Sequence, residues 1–297
     1  MNFLKLKNKS HYIKKATNTG VYILSDNNCL LIDSSYPGKE ANKLLNTLKE
    51  KKLNVKYIIN THGHIDHFGG NELLAEHFSL EVFASPYEKS FISYPDLSHS
   101  FLTSAKAMPS LRTNLKGLEV REIKNNEMKL DDNIFEIIEL AGHSRGHIGV
   151  LSEDGVLYAG DALLAPSLID QIKIPYFYDI EEFKKSLYKI KTLVEKKKIK
   201  TIVPSHGDVI TENFDKSIEK NINKVQSLLE NLVDILSEKA LSMEKIILHY
   251  NEKFNIKDGL ANYFITRACT MAFLSYLIEK NKVETIFKNN ILHYKLI

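Results

Sequence analysis

The chain has 297 residues, no tryptophan and only two cysteines. Cys29 and Cys269 lie far apart, each within an apolar run. They read as buried thiols, which excludes a disulfide framework or a cysteine metal site. No apolar run approaches the length needed to span a bilayer. The opening Met1 to Lys7 has no apolar secretory segment, so a reducing cytoplasm is the expected compartment. An excess of one charge is also missing. The 40 Lys and Arg stand against 37 Asp and Glu, a net charge of +3, so no strong polyanionic partner is implied. No short-period repeat or low-complexity segment appears. The 43% of hydrophobic residues suffices for a large core, and the length suits one large domain with an appendage.

Histidine is present and concentrated. Thr61-His62-Gly63-His64-Ile65-Asp66-His67 follows the apolar stretch Val55 to Ile59. A lone histidine is usually an ordinary polar side chain, but three histidines and an aspartate in one turn point to metal binding. Imidazoles at i and i+2 cannot share a helical face. In an extended or turning segment, however, the rings of His62 and His64 can converge on one ion. Asp66 and His67 follow where the chain turns into a helix and point to a second position. Three later loops, each after an apolar strand-like run, carry further ligand types: His143-Ser144-Arg145-Gly146-His147, Gly160-Asp161, and Ser205-His206-Gly207-Asp208.

With H-x-H-x-D-H at 62–67, G-H-S-x-G-H at 142–147, G-D at 160–161 and S-H-G at 205–207 in that order, the sequence resembles the metallo-β-lactamase superfamily over about residues 15 to 210. The resemblance implies an α/β fold, an αββα sandwich with metals in a cleft at one edge of two sheets. It assigns His62, His64 and His143 to one metal, Asp66, His67 and His206 to the other, and Asp161 as a bridge. Two zinc ions suit these ligands, with iron or manganese left open; His64, where the di-iron branch has glutamate, argues for zinc. Asp33 matches the family's early aspartate and is read as orienting a ligand, with a turn residue as the alternative. His147 is given a supporting role and Arg145 a place at the surface or pocket rim. His11, His77, His99, His249 and His293 stand alone and read as ordinary.

Two such metals acidify a water and polarise the bond under attack, without a serine or cysteine nucleophile. Asp66 is placed to take or relay the proton. The expected function is hydrolysis of an ester-, thioester- or lactone-like small molecule, with a phosphodiesterase or ribonuclease as the alternative and a silent zinc scaffold disfavoured because every ligand position is filled. Hydroxyacylglutathione hydrolases share two of the motifs, but the basic residues their tail offers to glutathione have no match here. The wider hydrolase group is therefore preferred.

Periodicity predicts a hairpin of Thr19 to Leu24 with Cys29 to Ile32, a helix over 39–51, strands over 55–59 and 81–84, and a helix over 71–78. In the second half it predicts strands over 135–140, 149–151, 156–159 and 201–203 and a helix over 180–197. Residues 86 to 117 do not read as core; a lid over the cleft and a satellite cluster under a long loop are both open. Residues 1–212 are taken as the sandwich and 213–297 as a second domain of helices 214–236, 243–254 and 259–280 with a hairpin around Asn289-Asn290. That order resembles the winged-helix appendage of some metallo-β-lactamase proteins. From Glu238 onward there are nine Lys or Arg and six Asp or Glu, without a basic cluster, and residues 260–274 are nearly all apolar or small. A packing, capping or homodimerising role is preferred over nucleic-acid binding.

Overall fold

A computed structural model of the chain describes residues 2–297. The first half forms a seven-stranded sheet in sequence order: β1 (Asn2–Lys5), β2 (Ser10–Lys14), β3 (Thr19–Ser25), β4 (Asn28–Ile32), β5 (Asn54–Ile59), β6 (Glu81–Ala84) and β7 (Arg121–Glu122). Pairing is antiparallel from β1 to β4 and parallel from β4 to β7. The parallel part requires crossovers. These are α1 (Lys39–Glu50), the pair α2 (Ile65–Phe68) and α3 (Asn71–Ala75), and the pair α4 (Pro86–Ser93) and α5 (Asp96–Thr103). The second sheet holds β8 (Glu127–Leu130), β9 (Asn133–Glu139), β10 (Ile148–Ser152), β11 (Val156–Gly160) and β12 (Thr201–Pro204), with α6 (Ile180–Glu195) crossing between the parallel pair β11 and β12.

Alternation along the strands decides the layering. In β4, Cys29 and Leu31 face α1 with Leu44 and Leu48, whereas Leu30 and Ile32 face inward. In β11, Val156 and Tyr158 meet that same interior, while Leu157 and Ala159 pack outward against Leu187 and Ile190 of α6. The result is helix, sheet, sheet, helix, the αββα order expected from the sequence.

The tail comprises α7 (Phe214–Leu236), β13 (Leu241–Ser242), α8 (Met243–Phe254), α9 (Leu260–Glu279), β14 (Val283–Lys288) and β15 (Ile291–Leu296). Asn289 and Asn290 take φ of 50° and 62°, the left-handed pair that a two-residue hairpin demands. The core on the outer face of the second sheet runs without a break into this region: Leu228 and Leu232 of α7, Ile246 of α8 and Phe273 and Leu274 of α9 share it with Phe183 and Ile202. Both cysteines are buried free thiols. No helix among the described residues is long and apolar enough to cross a membrane.

Two departures from the sequence reading bear on the site. The helix after the histidine loop is two short pieces joined at Gly69 and Gly70, where the backbone passes Pro37 and the Ser34 carbonyl too closely to admit a Cβ. The segment that did not read as core begins with a helix that is core: α4 buries Ile92 and Glu88 to 1% exposure.

Candidate metal centre

Parallel strands deliver the site. β4 leads into Asp33, β5 into Asn60 and the histidine loop, β11 into Asp161, and β12 into Ser205-His206. Their C-terminal ends lie on one edge of the two sheets, where open α/β sheets commonly gather ligands. The sheets are tied there by Ile148 N–H donating to the Thr61 carbonyl at 2.9 Å and Asn18 N–H to the Ser205 carbonyl at 2.6 Å.

All seven residues singled out as metal ligands come together. His64 is still extended (φ −82°, ψ 145°) before α2 begins, so its ring swings back beside that of His62. Three imidazole nitrogens converge: His62 Nε2 lies 3.0 Å from His64 Nδ1, which lies 2.9 Å from His143 Nε2. Asp161 Oδ2 lies 3.4 Å from His143 Nε2, 3.5 Å from His67 Nε2 and 3.6 Å from His206 Nε2. Asp66 Oδ2 closes the second group at 3.4 Å from His67 Nε2 and 3.3 Å from His206 Nε2. Three sets, His62-His64-His143, His62-His67-Asp161 and Asp66-His67-His206, each gather their ligand atoms within 4.8 Å.

The donor chemistry fits divalent cations. Nitrogens converging at these distances cannot all be satisfied by one another's protons, and the fully buried His67 Nε2 has no hydrogen-bond partner. A cation held by His62, His64 and His143 and another held by Asp66, His67 and His206 would take these lone pairs. The far nitrogens are held by fixed acceptors: His67 Nδ1 faces Asp33 Oδ2 at 2.8 Å, His206 Nδ1 the Ala16 carbonyl at 2.8 Å, and His143 Nδ1 the Tyr176 carbonyl at 3.0 Å. In each ring Nε2 is thereby left to face the site.

Electrostatics divide the cluster in two. Burial, reinforced by the charge of His67, drives His62 well below the usual histidine range. Burial likewise brings His143 down to about 3, against the pull of Asp161. Burial also opposes charge on His67 and His206, but there the carboxylates win. Asp66, Asp161 and Asp33 hold His67 well above its usual value, and Asp161 and Asp66 raise His206 to about 10. Asp66 and Asp161, despite burial, are held well below the carboxylate range, chiefly by His67.

Asp33 is no mere turn residue, although its φ is 63°. It accepts from Thr61 N–H and Thr61 Oγ1, both at 2.8 Å, as well as facing His67. His147 Nε2 accepts the Asp161 N–H at 2.9 Å, so the ring fixes the backbone of the aspartate between the two groups. Burial keeps it well below the usual histidine range.

Two residues without a sequence signal complete the frame. Glu88 takes Gly63 N–H on one carboxylate oxygen at 2.7 Å, and Ser144 Oγ at 2.8 Å and Gly146 N–H at 2.7 Å on the other. It therefore fastens the loop of His62 and His64 to that of His143. Asn18 Nδ2 donates to the Pro204 and Gly207 carbonyls, both at 2.9 Å, and anchors the loop of His206. Arg145 lies at the rim, stacked over the Tyr87 ring at 4.7 Å. His99, read as ordinary, stands on the wall of the adjoining cavity.

A profile of the Metallo-beta-lactamase superfamily matches residues 14–206, well over half of the chain. The chain belongs to that superfamily. Among its relatives in the superfamily, hydroxyacylglutathione hydrolase GloC of Haemophilus influenzae is 34% identical over 141 residues, 46% of this chain and 62% of the relative. The chain thus spans less than two thirds of that relative's length. Hydroxyacylglutathione hydrolase 1 of Vibrio vulnificus is 27% identical over 253 residues, 82% of this chain and 87% of the relative. A beta-lactamase domain protein from Burkholderia ambifaria superposes with a TM-score of 0.76 at 15% identity, covering 100% of this chain and 94% of that one. Identity that low speaks to fold alone, and the shared fold takes in the helical tail.

Proposed function

We propose that the chain is a metal-dependent hydrolase of carboxylic ester, thioester or lactone bonds, carried out at the histidine and aspartate cluster. The observation that carries this reading is the place of Asp161 Oδ2, within 3.4 to 3.6 Å of nitrogens from three histidines on three different loops. His62, His64 and His143 would hold one cation, Asp66, His67 and His206 the other, and Asp161 both. Five imidazoles and two carboxylates favour zinc, with iron or manganese as lesser alternatives. When bound, such cations ionise water near neutral pH and polarise the oxygen of the bond under attack.

The chain's own groups do the rest. Asp33, the Ala16 carbonyl and the Tyr176 carbonyl fix ring orientation. Asp66 lines the cavity, and its Oδ2 accepts from Thr17 Oγ1 at 3.2 Å. It is the group placed to accept the proton of the attacking water. The likeness to two hydroxyacylglutathione hydrolases supports the thioester member of the class. Against a polyanionic substrate, Arg145 is the one Lys or Arg among the described residues lining the cavity. Residues 1–212 are read as the hydrolytic unit, 213–297 as a winged-helix-like module that caps it or pairs it into a homodimer, and the cytoplasm as the compartment.

The test is metal content and turnover together. His62→Ala and Asp161→Ala should lower bound metal by mass spectrometry and abolish hydrolysis while the fold persists by circular dichroism; unchanged stoichiometry refutes the ligand assignment. Asp66→Asn should cost rate far more than stability. A panel of thioesters, lactones, β-lactams and a bis-nitrophenyl phosphodiester then assigns the bond.

A further inference from the structure

The cavity beside the cluster has a volume of about 440 Å³, within the range that takes whole organic ligands. His64 and Asp66 line it together with Phe91 of α4, Phe101 and Leu102 of α5, and Ile265 of α9. The three elements come from different parts of the chain; α4 fastens the ligand loops through Glu88, whereas the cavity-lining side chains of α5 and α9 serve none of the ligands. α5 is the most telling. It buries none of its eight residues, yet carries Leu97, Phe101 and Leu102. Phe101 is 54% exposed while its ring reaches Phe91 at 5.7 Å and Tyr178 at 6.0 Å between centroids. An aromatic shelf that serves no core and stands over a reactive cluster is a contact surface awaiting a ligand.

The polar side of the cavity narrows the ligand. Glu88 has both carboxylate oxygens occupied by Gly63, Ser144 and Gly146. Arg145 sits over the Tyr87 ring. Beyond the cluster itself a phosphodiester or polyanion would meet a single Lys or Arg among the described residues, whereas an apolar group would exchange water for hydrocarbon on several sides.

We infer that the substrate is an ester or thioester with a bulky apolar acyl group, seated against Phe91, Phe101 and Ile265, and that Phe101 and Ile265 set the size accepted. This rests on the hydrolytic reading. Water oxygen bonds to the acyl carbon, the C–O or C–S bond breaks, the alcohol or thiol leaves with one proton, and the acid leaves as its carboxylate with release of the other.

The experiment reads binding and turnover separately on the metal-loaded full chain. Isothermal titration compares N-methyloctanamide with N-methylacetamide, uncharged amides that mimic the acyl part. The octanoyl compound should bind at least about tenfold more tightly, and Phe101→Ser, on a helix with no buried residue, should erase most of that preference. In parallel, p-nitrophenyl octanoate should exceed p-nitrophenyl acetate by at least about tenfold in kcat/KM, and Ile265→Trp, which fills the cavity, should turn the preference toward acetate. Equal binding of the two amides, or a preference untouched by Phe101→Ser, overturns the apolar seat. Cleavage of both esters without preference also overturns the seat while leaving hydrolysis standing. Binding preference with no cleavage of any ester or thioester overturns the hydrolytic reading and with it the substrate assignment.

Discussion

Lys15 lies just before the first anchor of the site, and its Nζ is buried with no hydrogen-bond partner. Burial brings its pKa down to about 7, against the charges of Glu40 and Asp33. The folded value is below the unfolded one of 10.5. Between pH 7 and 10.5 the unfolded chain therefore keeps a proton that the folded chain has released, and Lys15 makes stability rise with pH across that window. Lys15→Met should stabilise the protein by about 1 to 3 kcal/mol near neutrality, and the gain should shrink as the pH approaches 10.5. Urea midpoints at neutral and alkaline pH check it; a gain that does not change with pH sinks the account. No pattern in the sequence marks this lysine, because burial of one amine depends on the meeting of β2, α1 and the Asp33 turn.

At the scale of elements, Glu88 shows most clearly how α4 serves the site. Its carboxylate only accepts, and it faces two backbone N–H groups on different loops as well as the Ser144 hydroxyl. In Glu88→Gln the side-chain amide must oppose either Gly63 N–H or Gly146 N–H, whichever way it is turned, at a cost of about 1 to 3 kcal/mol. The expected result is a lower melting temperature together with weaker metal retention in a chelator competition. A lower melting temperature with unchanged metal affinity would make Glu88 a core residue with no hold on the ligands.

Much of this architecture is legible in the chain alone. Strands such as Glu81–Ala84 and the helix Phe214–Leu236 fall at their predicted bounds, because each has one apolar face and marked ends. His62, His64, Asp66 and His67 are legible because they crowd into six positions, whereas His143, Asp161 and His206 are legible only through the motifs of the family resemblance; the structure brings all seven side chains together. Glu88 was not legible, since its partners lie 25 and 56 to 58 positions away. β1, β7 and β13 left no signal either. Their few residues are ordered by pairing with neighbours rather than by periodicity of their own.

On the scale of the whole molecule, the tail and the sandwich share one outer core. Leu228 and Leu232 of α7 and Phe273 and Leu274 of α9 are at most 1% exposed within the cluster that also holds Phe183 and Ile202. Removing residues 213–297 would uncover that face of α6 and the second sheet. The full chain should unfold in one cooperative transition, with near-ultraviolet and far-ultraviolet dichroism melting together. A chain ending at residue 212 should bind a hydrophobic dye and lose the sharp transition. Two separate transitions in the full chain, or a well-folded truncated form, would show that the two parts stand alone.

Ile265 belongs to both worlds, leaning on the shared core with one side and on the cavity beside the cluster with the other. The last long helix is thus a wall as well as a buttress. Because tail and sandwich share one core, heat that loosens the end of the chain would open this wall and the ligand loops in the same step. A protein warmed through that step would lose the shape of its cavity and the gathering of its histidines together.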